Sequence, residues 1–363
     1  MATTVKAMMH DSPDCTPWFG HEPVTISRLG GSGFSGSRVF AVRRGSGAVF
    51  VLKNFPTATL SPHAAWVHGL MRHLRAAGVA TVPEVVAVRS DQLRSGAADC
   101  STVAVDAKGV LWELVEFIPG SPRREPTETE AATALIGLAR LHVAAATLPG
   151  PPPRSAPSPG VARRIDQARR LAAAPWHLLA PSAAALPNDV VHERLLRACE
   201  IFLTGGGRAA LDSLATHEPL PMLCQPVLRD LWSDHVLFAD DGRLAGFVDF
   251  HAAGCDTPAT DLARLLGSWD PSPGRGGMTL TEQWRGSLEA YEAVRPLSPR
   301  ERCLIPWLHA TGVICGLDNW FRWLITDRRE FDDMNRVLAR LDRLLDALPE
   351  ALEGARLAVS SRN

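Results

Sequence analysis

Two aspartates are the residues of this sequence best suited to phosphoryl-transfer chemistry. Asp230 stands in the segment VLRDLWSDHVLF, with the polar residue His235 five places further on. Asp249 lies near the end of the apolar segment LAGFVDF, 19 residues after Asp230. In phosphoryl transfer, one carboxylate can orient the hydroxyl that is phosphorylated and another can hold Mg²⁺ against the phosphates of the donor. Either aspartate alone is also a common turn residue at a strand end.

A glycine-rich segment precedes these aspartates. GGSGFSG contains Gly31, Gly33 and Gly36 in the order Gly-x-Gly-x-x-Gly, with Ser32 after the first. Two unrelated nucleotide folds use this spacing, and a strand rather than a helix is predicted to follow it here. We therefore predict a hairpin whose backbone N–H groups cover phosphates, and not a dinucleotide fold. An ordinary glycine-rich turn is the alternative.

Lys53 stands out because lysine is rare in this chain. Only three of the 38 basic residues are lysines, and Lys53 lies within the apolar segment VLKNF. An ammonium group is a compact point charge, whereas a guanidinium is a planar fork. The use of lysine here therefore suggests a cation that contacts a phosphate. A lysine at a sheet edge, with its amine in water, is the alternative.

Taken together, these segments resemble the superfamily of small-molecule kinases that includes aminoglycoside phosphotransferases and choline kinase, over most of the chain. The resemblance implies a protein-kinase-like fold, with ATP and Mg²⁺ as cofactors. It implies that Asp230 is the catalytic base, Asp249 a metal ligand and Lys53 a phosphate ligand. The backbone from Glu116 to Ile118 would then hold the adenine ring.

A further acidic segment extends the resemblance. DTPATDLA, which begins at Asp256, is similar to the family's Gly-Asp-Pro-x-x-Asp-Leu-Ala. Asp261 would then be a buried acid that braces the catalytic loop, and an N-cap role for either aspartate is the alternative. Only 11 residues separate Asp249 from Asp261, and no Ala-Pro-Glu follows. Because this leaves no room for a peptide-binding segment, we predict a small-molecule acceptor with a hydroxyl group.

The catalytic segment departs from the family pattern at two positions. The family's loop reads His-Gly-Asp, whereas this one reads Leu228-Arg229-Asp230, and His235 replaces an asparagine. Leu228 can pack where the histidine would be. His235 is predicted as a metal ligand, although Mg²⁺ prefers oxygen ligands. Three alternatives stay open: Asp234 supplies the oxygen, one metal ion with a preference for Mn²⁺ suffices, or His235 makes only hydrogen bonds.

The predicted phosphate-binding lysine lacks its usual partner. No Asp or Glu lies between Asn54 and Pro83, where a helix carboxylate would pair with Lys53, and His68 stands at about that place. A neutral histidine can accept a hydrogen bond from Lys53 but forms no ion pair. We therefore expect Asp249 or the nucleotide phosphates to position the ammonium. These departures together leave a nucleotide-binding pseudokinase with a regulatory or partner-binding role as the alternative function.

The acceptor pocket is expected in the C-terminal helices, because the family builds it there. Residues 306–324 carry three tryptophans that flank Asp318. Asp318 could recognise an amino group of the acceptor. A tryptophan stripe at helical spacing is, however, more often part of the core.

Residue periodicity places these segments on strands and helices. Residues 24–55 predict three strands and residues 61–78 a helix, and two more strands follow at VPEVVAV and GVLWELVEF. Thr127 and Glu130 predict a capping box that opens a helix. Residues 149–160 predict a loop because of their prolines.

These elements predict an α+β fold with two lobes. Residues 1–118 would form a small antiparallel nucleotide-binding lobe with one main helix. Residues 119–363 would form a larger, mostly helical lobe with the catalytic loop at 226–250 and the acceptor pocket. A chain of 363 residues with 46% hydrophobic content can bury cores of this size.

Composition limits the partners and the compartment. A formal net charge of −1 with interspersed charges gives no electrostatic case for nucleic acid. The seven cysteines form no Cys-x-x-Cys pair, which argues against a disulfide framework or a structural zinc site. The chain begins with no signal-peptide pattern and has no apolar run long enough to span a membrane. We therefore expect a cytoplasmic protein without a membrane partner, and the oligomeric state is not indicated.

Overall fold

The computed structural model divides into two compact units. It describes residues 13–29, 37–56, 59–89, 102–150, 153–186, 189–216, 221–269 and 280–360. The first unit comprises Met1–Ser121 with Ala245–His251, and the second comprises Pro122–Leu244 with Ala252–Asn363. Among the described residues, no helix combines the length and the apolar character that a membrane span requires.

The first unit is built on an antiparallel sheet of five strands. The three strands predicted within residues 24–55 are present and pair antiparallel in sequence order. The spatial order is 1-2-3-5-4, so the third strand has a neighbour on each side. The strands are β1 (Val24–Arg28), β2 (Val39–Arg44), β3 (Val49–Asn54), β4 (Val103–Val105) and β5 (Leu111–Glu116).

Two helices accompany this sheet, the short α1 (Thr16–Phe19) and the predicted main helix, α2 (Ser61–Ala76). Helix α2 buries residues at helical spacing, and the chain leaves it at Gly78, which has a φ of +85°. The hydrophobic core on the sheet is formed by Trp18, Phe19, Phe40, Val42, Leu52, Trp112 and Leu114, among others.

The predicted strand VPEVVAV was wrong in extent. Val85 forms only an isolated bridge with Val115. Strand β4 covers the first half of β5, with Val103 opposite Glu113, and the segment around Val85 covers the second half. Two short segments therefore share one edge of β5, a division that strand propensity alone does not reveal.

The second unit is mostly helical. The capping box of Thr127 and Glu130 is present, because each side chain binds the backbone N–H of the other residue. The helices are α3 (Glu128–Ala145), α4 (Pro159–Ala173), α5 (Ala180–Ala184), α6 (Val190–Thr204), α7 (Gly207–Ala215), α8 (Ala259–Leu266), α9 (Leu280–Glu292), α10 (Pro299–Phe321) and α11 (Met334–Ser360).

A small antiparallel sheet in the second unit corrects the prediction of a loop at residues 149–160. Arg154–Pro157 is a strand, and Pro159 begins α4. The strand lies at a sheet edge, and proline also suits the first turn of a helix, so neither location requires an N–H that proline lacks. The strands are β7 (Arg154–Pro157), β8 (Pro221–Val227) and β11 (Gly254–Asp256), and the remaining short strands of the chain are β6 (Ser121–Pro122), β9 (Val236–Phe238) and β10 (Leu244–Phe247).

Candidate active site

Lys53 is buried and paired with a carboxylate. It lies on β3 between β2 and β5, opposite Val39 and Glu113, so it is not an edge lysine. Only 9% of the residue is exposed. Its Nζ lies 2.6 Å from Oδ1 of Asp249, which is one of the two ways in which the sequence expected the ammonium to be positioned. This pair is the centre of the charged cluster in the first unit.

Asp249 follows β10 in a backbone conformation that is uncommon for a residue with a side chain. Its φ is +66°, in the left-handed region. Aspartate tolerates this region better than most residues, yet the conformation still costs about 1–2 kcal/mol. Strained backbone of this kind is common where a side chain must point in one direction. The side chain of Asp249 is 29% exposed, so a ligand can reach its oxygens.

Glu113 lies behind this pair and receives two histidines. His68 Nε2 on α2 donates to Oε2 of Glu113 and His251 Nε2 to Oε1, each at 2.7 Å. The other ring nitrogen of His251 lies 3.8 Å from Oδ1 of Asp249. Burial alone would raise the pKa of Glu113, but His251 and then His68 hold this pKa well below its ordinary value. Basic and acidic side chains thus alternate along this cluster, in the order Lys53, Asp249, His251, Glu113 and His68.

His68 does not accept a hydrogen bond from Lys53, although the sequence suggested that it could. Its Nδ1 lies 2.7 Å from Oγ1 of Thr102, and its Nε2 is bound to Glu113.

Sequence reasoning missed Glu113 and His251. The signals were a single carboxylate inside the apolar strand GVLWELVEF and a histidine two residues after Asp249, and they carry meaning only once the strand register is known.

In the second unit, the backbone of the predicted catalytic loop is held by Asp261. The N–H groups of Leu228 and Arg229 donate to its two carboxylate oxygens, at 2.7 and 2.6 Å. Asp261 is fully buried, and His142 Nε2 lies 3.1 Å from its Oδ2. The cap of α8 is Pro258, so Asp261 has the bracing role that the resemblance implied and not the N-cap role.

Asp230 is fixed by two neighbours on the same carboxylate oxygen. Trp232 Nε1 donates to Oδ1 at 2.6 Å, and the guanidinium of Arg264 forms an ion pair with this oxygen. The Arg264 guanidinium also lies over the Trp232 indole, 4.0 Å from the ring centroid. The Asp230 side chain is 42% exposed, which is compatible with contact to a substrate. The sequence gave no sign that Trp232 and Arg264 act on Asp230.

The hydrogen bond of His235 selects one tautomer. Nδ1 donates to the backbone carbonyl of Asp230 at 2.8 Å, so the neutral ring carries its lone pair on Nε2. Metal-binding histidines commonly use a backbone carbonyl in this way. The neighbouring Asp234 lies 3.4 Å from Arg336. His235 and Asp234 therefore both stay candidates for metal binding.

The other departures in the loop have clear structural roles. Leu228 is 2% exposed and packs in the core, as expected. Arg229 has a left-handed backbone with a φ of +65°, and its Nε lies 3.8 Å from Oδ2 of Asp256. A side chain at Gly254 would collide with Arg229. Glycine at position 254 therefore lets the Arg229 side chain keep this conformation.

The remaining predicted nucleotide ligands are less defined. Gly31, Ser32, Gly33 and Gly36 lie outside the described residues. Glu116 uses its backbone N–H for the carbonyl of Glu84 at 2.8 Å, and its carboxylate accepts from the Glu84 N–H at 3.1 Å. Ile118 lies so close to Gly246 that a Cβ there would be 2.6 Å from its Cδ1. These contacts fix the segment from Glu116 to Ile118, and its adenine-binding role stays a prediction.

Asp318 is part of the protein interior. It is 2% exposed and lies within hydrogen-bonding distance of Arg322 at 3.0 Å and Trp176 at 3.2 Å. Trp307 and Trp320 are also buried. The core interpretation of this tryptophan-rich helix is therefore the better one, and Asp318 is not placed to recognise an amino group.

Solved structures of two small-molecule phosphotransferases have the same fold. A spectinomycin phosphotransferase, solved with ADP and spectinomycin, matches with a TM-score of 0.59 at 10% identity, over 91% of this chain and 93% of that chain. An amicoumacin kinase, solved with AMP-PNP and Ca²⁺, matches with a TM-score of 0.57 at 14% identity, over 90% of this chain and 88% of that chain. At such identities the likeness establishes the fold, which is the protein-kinase-like α+β fold predicted from the sequence.

The sequence itself carries the family assignment. The model of the phosphotransferase enzyme family matches residues 26–297, and the chain therefore belongs to this family. The resemblance to small-molecule kinases is confirmed.

Curated relatives of this chain are homoserine kinases. That of Xanthobacter autotrophicus is 31% identical over 240 residues, which are 66% of this chain and 63% of the relative. That of Polaromonas naphthalenivorans is 28% identical over 270 residues, 72% of each chain. The match to the Xanthobacter protein thus spans less than two thirds of that relative's length.

Proposed function

We propose that this chain transfers the γ-phosphoryl group of ATP to a hydroxyl group of a small molecule. The observation that carries the proposal is the ion pair of the buried Lys53 with the partly exposed Asp249, with 2.6 Å between Nζ and Oδ1, in a member of a phosphotransferase family. An ammonium for phosphate and a carboxylate for a divalent ion are the charges that phosphoryl transfer uses. The cysteine usage of the sequence supports a cytoplasmic location.

The side chains suit a divalent cation that takes most of its ligands from elsewhere. Asp249 offers the carboxylate oxygens that Mg²⁺ prefers, and His235 offers an imidazole nitrogen, a poorer ligand for Mg²⁺. The described part of the chain contains no group of three or more His, Cys, Asp or Glu side chains arranged as a metal site. A single carboxylate such as that of Asp249 fits an ion that takes its other ligands from phosphate oxygens and water. ATP with this ion would supply the phosphoryl group and neutralise charge on its β- and γ-phosphates.

Each residue of the two charged clusters then has a defined task. Lys53 binds phosphate oxygens, and Asp249 holds its ammonium in place before the nucleotide arrives. Asp230 orients the acceptor hydroxyl and accepts its proton. Because Trp232 and Arg264 fix the Asp230 carboxylate, the hydroxyl meets a base that is already oriented.

Homoserine is the first acceptor to test, because the curated relatives are homoserine kinases. ADP formation should be measured with homoserine and with a panel of small alcohols, each with Mg²⁺ and with Mn²⁺. We expect ADP formation that depends on the acceptor and on the metal ion. A chain that binds no ATP with either ion would contradict the proposal.

The metal role of His235 requires its own comparison. His235→Asn restores an oxygen ligand and should shift the preference from Mn²⁺ toward Mg²⁺. Asp234→Ala should lower activity only if Asp234 is the ligand. Unchanged activity of both variants with both ions would remove these residues from the metal site.

A second candidate function is a nucleotide-binding pseudokinase. It is favoured by the ion pair of Asp230 with Arg264, which gives the predicted base a permanent partner, and by Leu228 and His235 in the loop. ATP binding without phosphoryl transfer to any acceptor, or to water, would support this candidate against the first.

A further inference from the structure

A cavity in the second unit is lined by basic and aromatic side chains. It lies among α4, α8, α10 and α11, and the volume that water-sized groups can occupy in it is about 40 Å³. Its lining includes three arginines from three different helices, together with an indole and an imidazole. These residues are Arg164, Arg264, Arg340, Trp232 and His309.

Positive charge exceeds negative charge around this cavity. Arg264 pairs with Asp230. Arg164 makes one long hydrogen bond, to the carbonyl of Gly160 at 3.4 Å, and within the described chain its buried Nε has no partner. Arg340 is within ion-pair distance of no carboxylate among the described residues, although it lies near several charged groups. Among the residues that the structure describes, two of the three cations thus have no carboxylate within ion-pair distance.

The nearby acids are engaged by other groups. Asp234 faces Arg336 at 3.4 Å. Asp256 accepts hydrogen bonds from Ser158 and from the N–H of Gly160. The remaining groups that act on Arg164 and Arg340 are the cations Arg163 and Arg343 and the thiol of Cys315, whose pKa burial raises to about 12, so that it is neutral at neutral pH.

The cavity arginines repel each other and still keep their charge at neutral pH. Burial, together with Arg343 and Arg264, lowers the pKa of Arg340 to about 9. Burial is also the main reason why the pKa of Arg164 falls to about 10. Burial, together with Arg340 and Arg164, lowers the pKa of His309 to about 4, so the imidazole is neutral at neutral pH. A bound anion would relieve this repulsion, because like charges interact strongly in a partly desolvated site.

The cavity adjoins the residue that we assign to the acceptor hydroxyl. Arg264 and Trp232 line the cavity, and both contact Oδ1 of Asp230. The guanidinium of Arg340 also lies against the Trp232 indole, 3.7 Å from its centroid. A group bound in the cavity is therefore one side chain away from Asp230.

We propose that this cavity binds a carboxylate group of the acceptor, so that the substrate class is a small hydroxy acid. Planar guanidinium groups match carboxylates through paired, charge-assisted hydrogen bonds. The identity of the bound group as part of the acceptor rests on the proposed function, whereas the anion site itself does not. A phosphate on the acceptor would use the same chemistry, and the assays below separate the two.

Binding can be tested without catalysis. Formate is the smallest carboxylate probe, and formamide is its neutral counterpart. In protein with ¹⁵N-labelled arginine, formate should shift the side-chain Nε–H resonances of Arg164, Arg264 and Arg340 saturably, whereas formamide should not. The resonances are assigned by their loss in Arg340→Met and Arg164→Met. Absence of a saturable shift in the wild type, or equal formate binding by Arg340→Met, would overturn the anion site.

Turnover provides the second test. The panel pairs hydroxy acids with their amides, for example L-homoserine with L-homoserinamide, and includes glycerol 3-phosphate as a phosphorylated alcohol. We expect the acid to be the better substrate, and Arg340→Met to raise its KM roughly 10- to 100-fold with little change in kcat, as for lost charged hydrogen bonds. The KM of the amide should stay the same.

A matched control is Arg197→Met, which removes an exposed arginine that pairs with Asp346 and does not line the cavity. It should leave the KM of the acid unchanged. If Arg340→Met does not fold, Arg164→Met takes its place in both assays. Equal use of acid and amide, or turnover of glycerol 3-phosphate alone, would overturn the carboxylate assignment.

The two proposals fail in different ways. If no acceptor is phosphorylated but formate binds saturably, the phosphotransferase proposal fails and the anion site stands. If phosphorylation occurs but only with neutral or cationic alcohols, the phosphotransferase proposal stands and the assignment of the cavity fails.

Discussion

The two charged clusters of this chain differ in how their charges are balanced. In the first unit, basic and acidic side chains alternate, so each basic group has an acidic neighbour; the four are Lys53, Asp249, His251 and Glu113. In the second unit, three arginines line one cavity, and within the described part of the chain Arg264 alone of the three forms an ion pair with a carboxylate.

The charged side chains of the first unit already have partners within the protein, whereas the surplus arginines of the cavity can gain a partner from a bound anion. A buried network in which every polar group has its partner holds its geometry without a ligand. Removing one member leaves another buried polar group without a partner, and this lowers the free energy of unfolding. A cavity with surplus cations is strained when empty and gains most from an anion. The following changes test this contrast, from the largest expected effect to the smallest.

Removing the carboxylate that adjoins the cavity should have the largest effect. Asp230→Asn keeps the shape of the side chain but cannot accept the proton of the acceptor hydroxyl. We expect kcat to fall by roughly 100- to 10,000-fold, as for other general bases, while the Kd for ATP stays the same. A coupled ADP assay and calorimetry measure both quantities. Asp241→Asn, in an exposed turn, is the control, and turnover of Asp230→Asn within tenfold of the wild type would contradict the assignment.

Breaking the balanced network should lower stability. In Glu113→Gln, the amide has one accepting oxygen in place of two, so either His68 or His251 loses its partner. We expect the free energy of unfolding in urea to fall by about 3 kcal/mol. Glu22→Gln, at the more exposed pair with Arg44, should change it little. A small change in Glu113→Gln would mean that the network contributes little.

The carboxylate of Glu113 also sets the direction in which the free energy of unfolding changes with pH. The pKa of Glu113 is held below its ordinary value, which burial opposes and the two histidines more than offset. The unfolded chain therefore binds this proton first as the pH falls. The contribution of Glu113 should be complete above its ordinary pKa of about 4.3 and should be lost below it.

His309 should make the cavity side of the molecule sensitive to mild acid. Its pKa of about 4 lies below the ordinary value of 6.5, so between these values the unfolded chain binds a proton that the folded chain rejects. Stability should therefore fall as the pH drops from 6.5 to 4, with a slope of up to about 1.4 kcal/mol per pH unit from this group. His309→Gln should show a shallower decline in thermal or urea unfolding. Identical slopes would remove His309 from the explanation.

Removing a surplus cation should have the smallest effect on stability. Arg340→Met relieves repulsion with Arg264 and Arg343 and keeps the apolar part of the side chain. Without carboxylate buffers, the free energy of unfolding should stay the same or rise by up to about 1 kcal/mol, whereas most substitutions of buried residues lower it. A clear loss of stability would show that Arg340 is balanced inside the protein after all.

The sequence predicted the fold well where local signals were strong. The turn at residues 45–47 and the apolar runs of the first three strands, the helix after Ser61 and the capping box of Thr127 all depend on neighbours in the chain. Two misassignments were of a different kind. The conformation of the segment around Val85 and of the strand at Arg154–Pro157 depends on which distant strand lies beside each of them. Neither the periodicity of apolar residues nor the composition of a segment identifies that neighbouring strand.

The same distinction applies to the site. Asp230, Asp249 and Lys53 could be selected because type and spacing mark them individually. The partners of Glu113 could not be, since they come from α2 and from the segment after β10. The arginines at 164, 264 and 340 are spread over much of the second unit's sequence, and in a chain rich in arginine nothing local marks these three.

The backbone at Arg229 shows that this loop is not optimised for ease of folding. A glycine would adopt a φ of +65° with about 1 kcal/mol less strain, and the family pattern has glycine there. The chain retains an arginine whose guanidinium lies 3.8 Å from Asp256, the residue that receives the first turn of α4. Arg229 therefore links the catalytic segment to the helix that carries Arg164, and an engineer who introduced glycine to gain robustness would loosen that coupling.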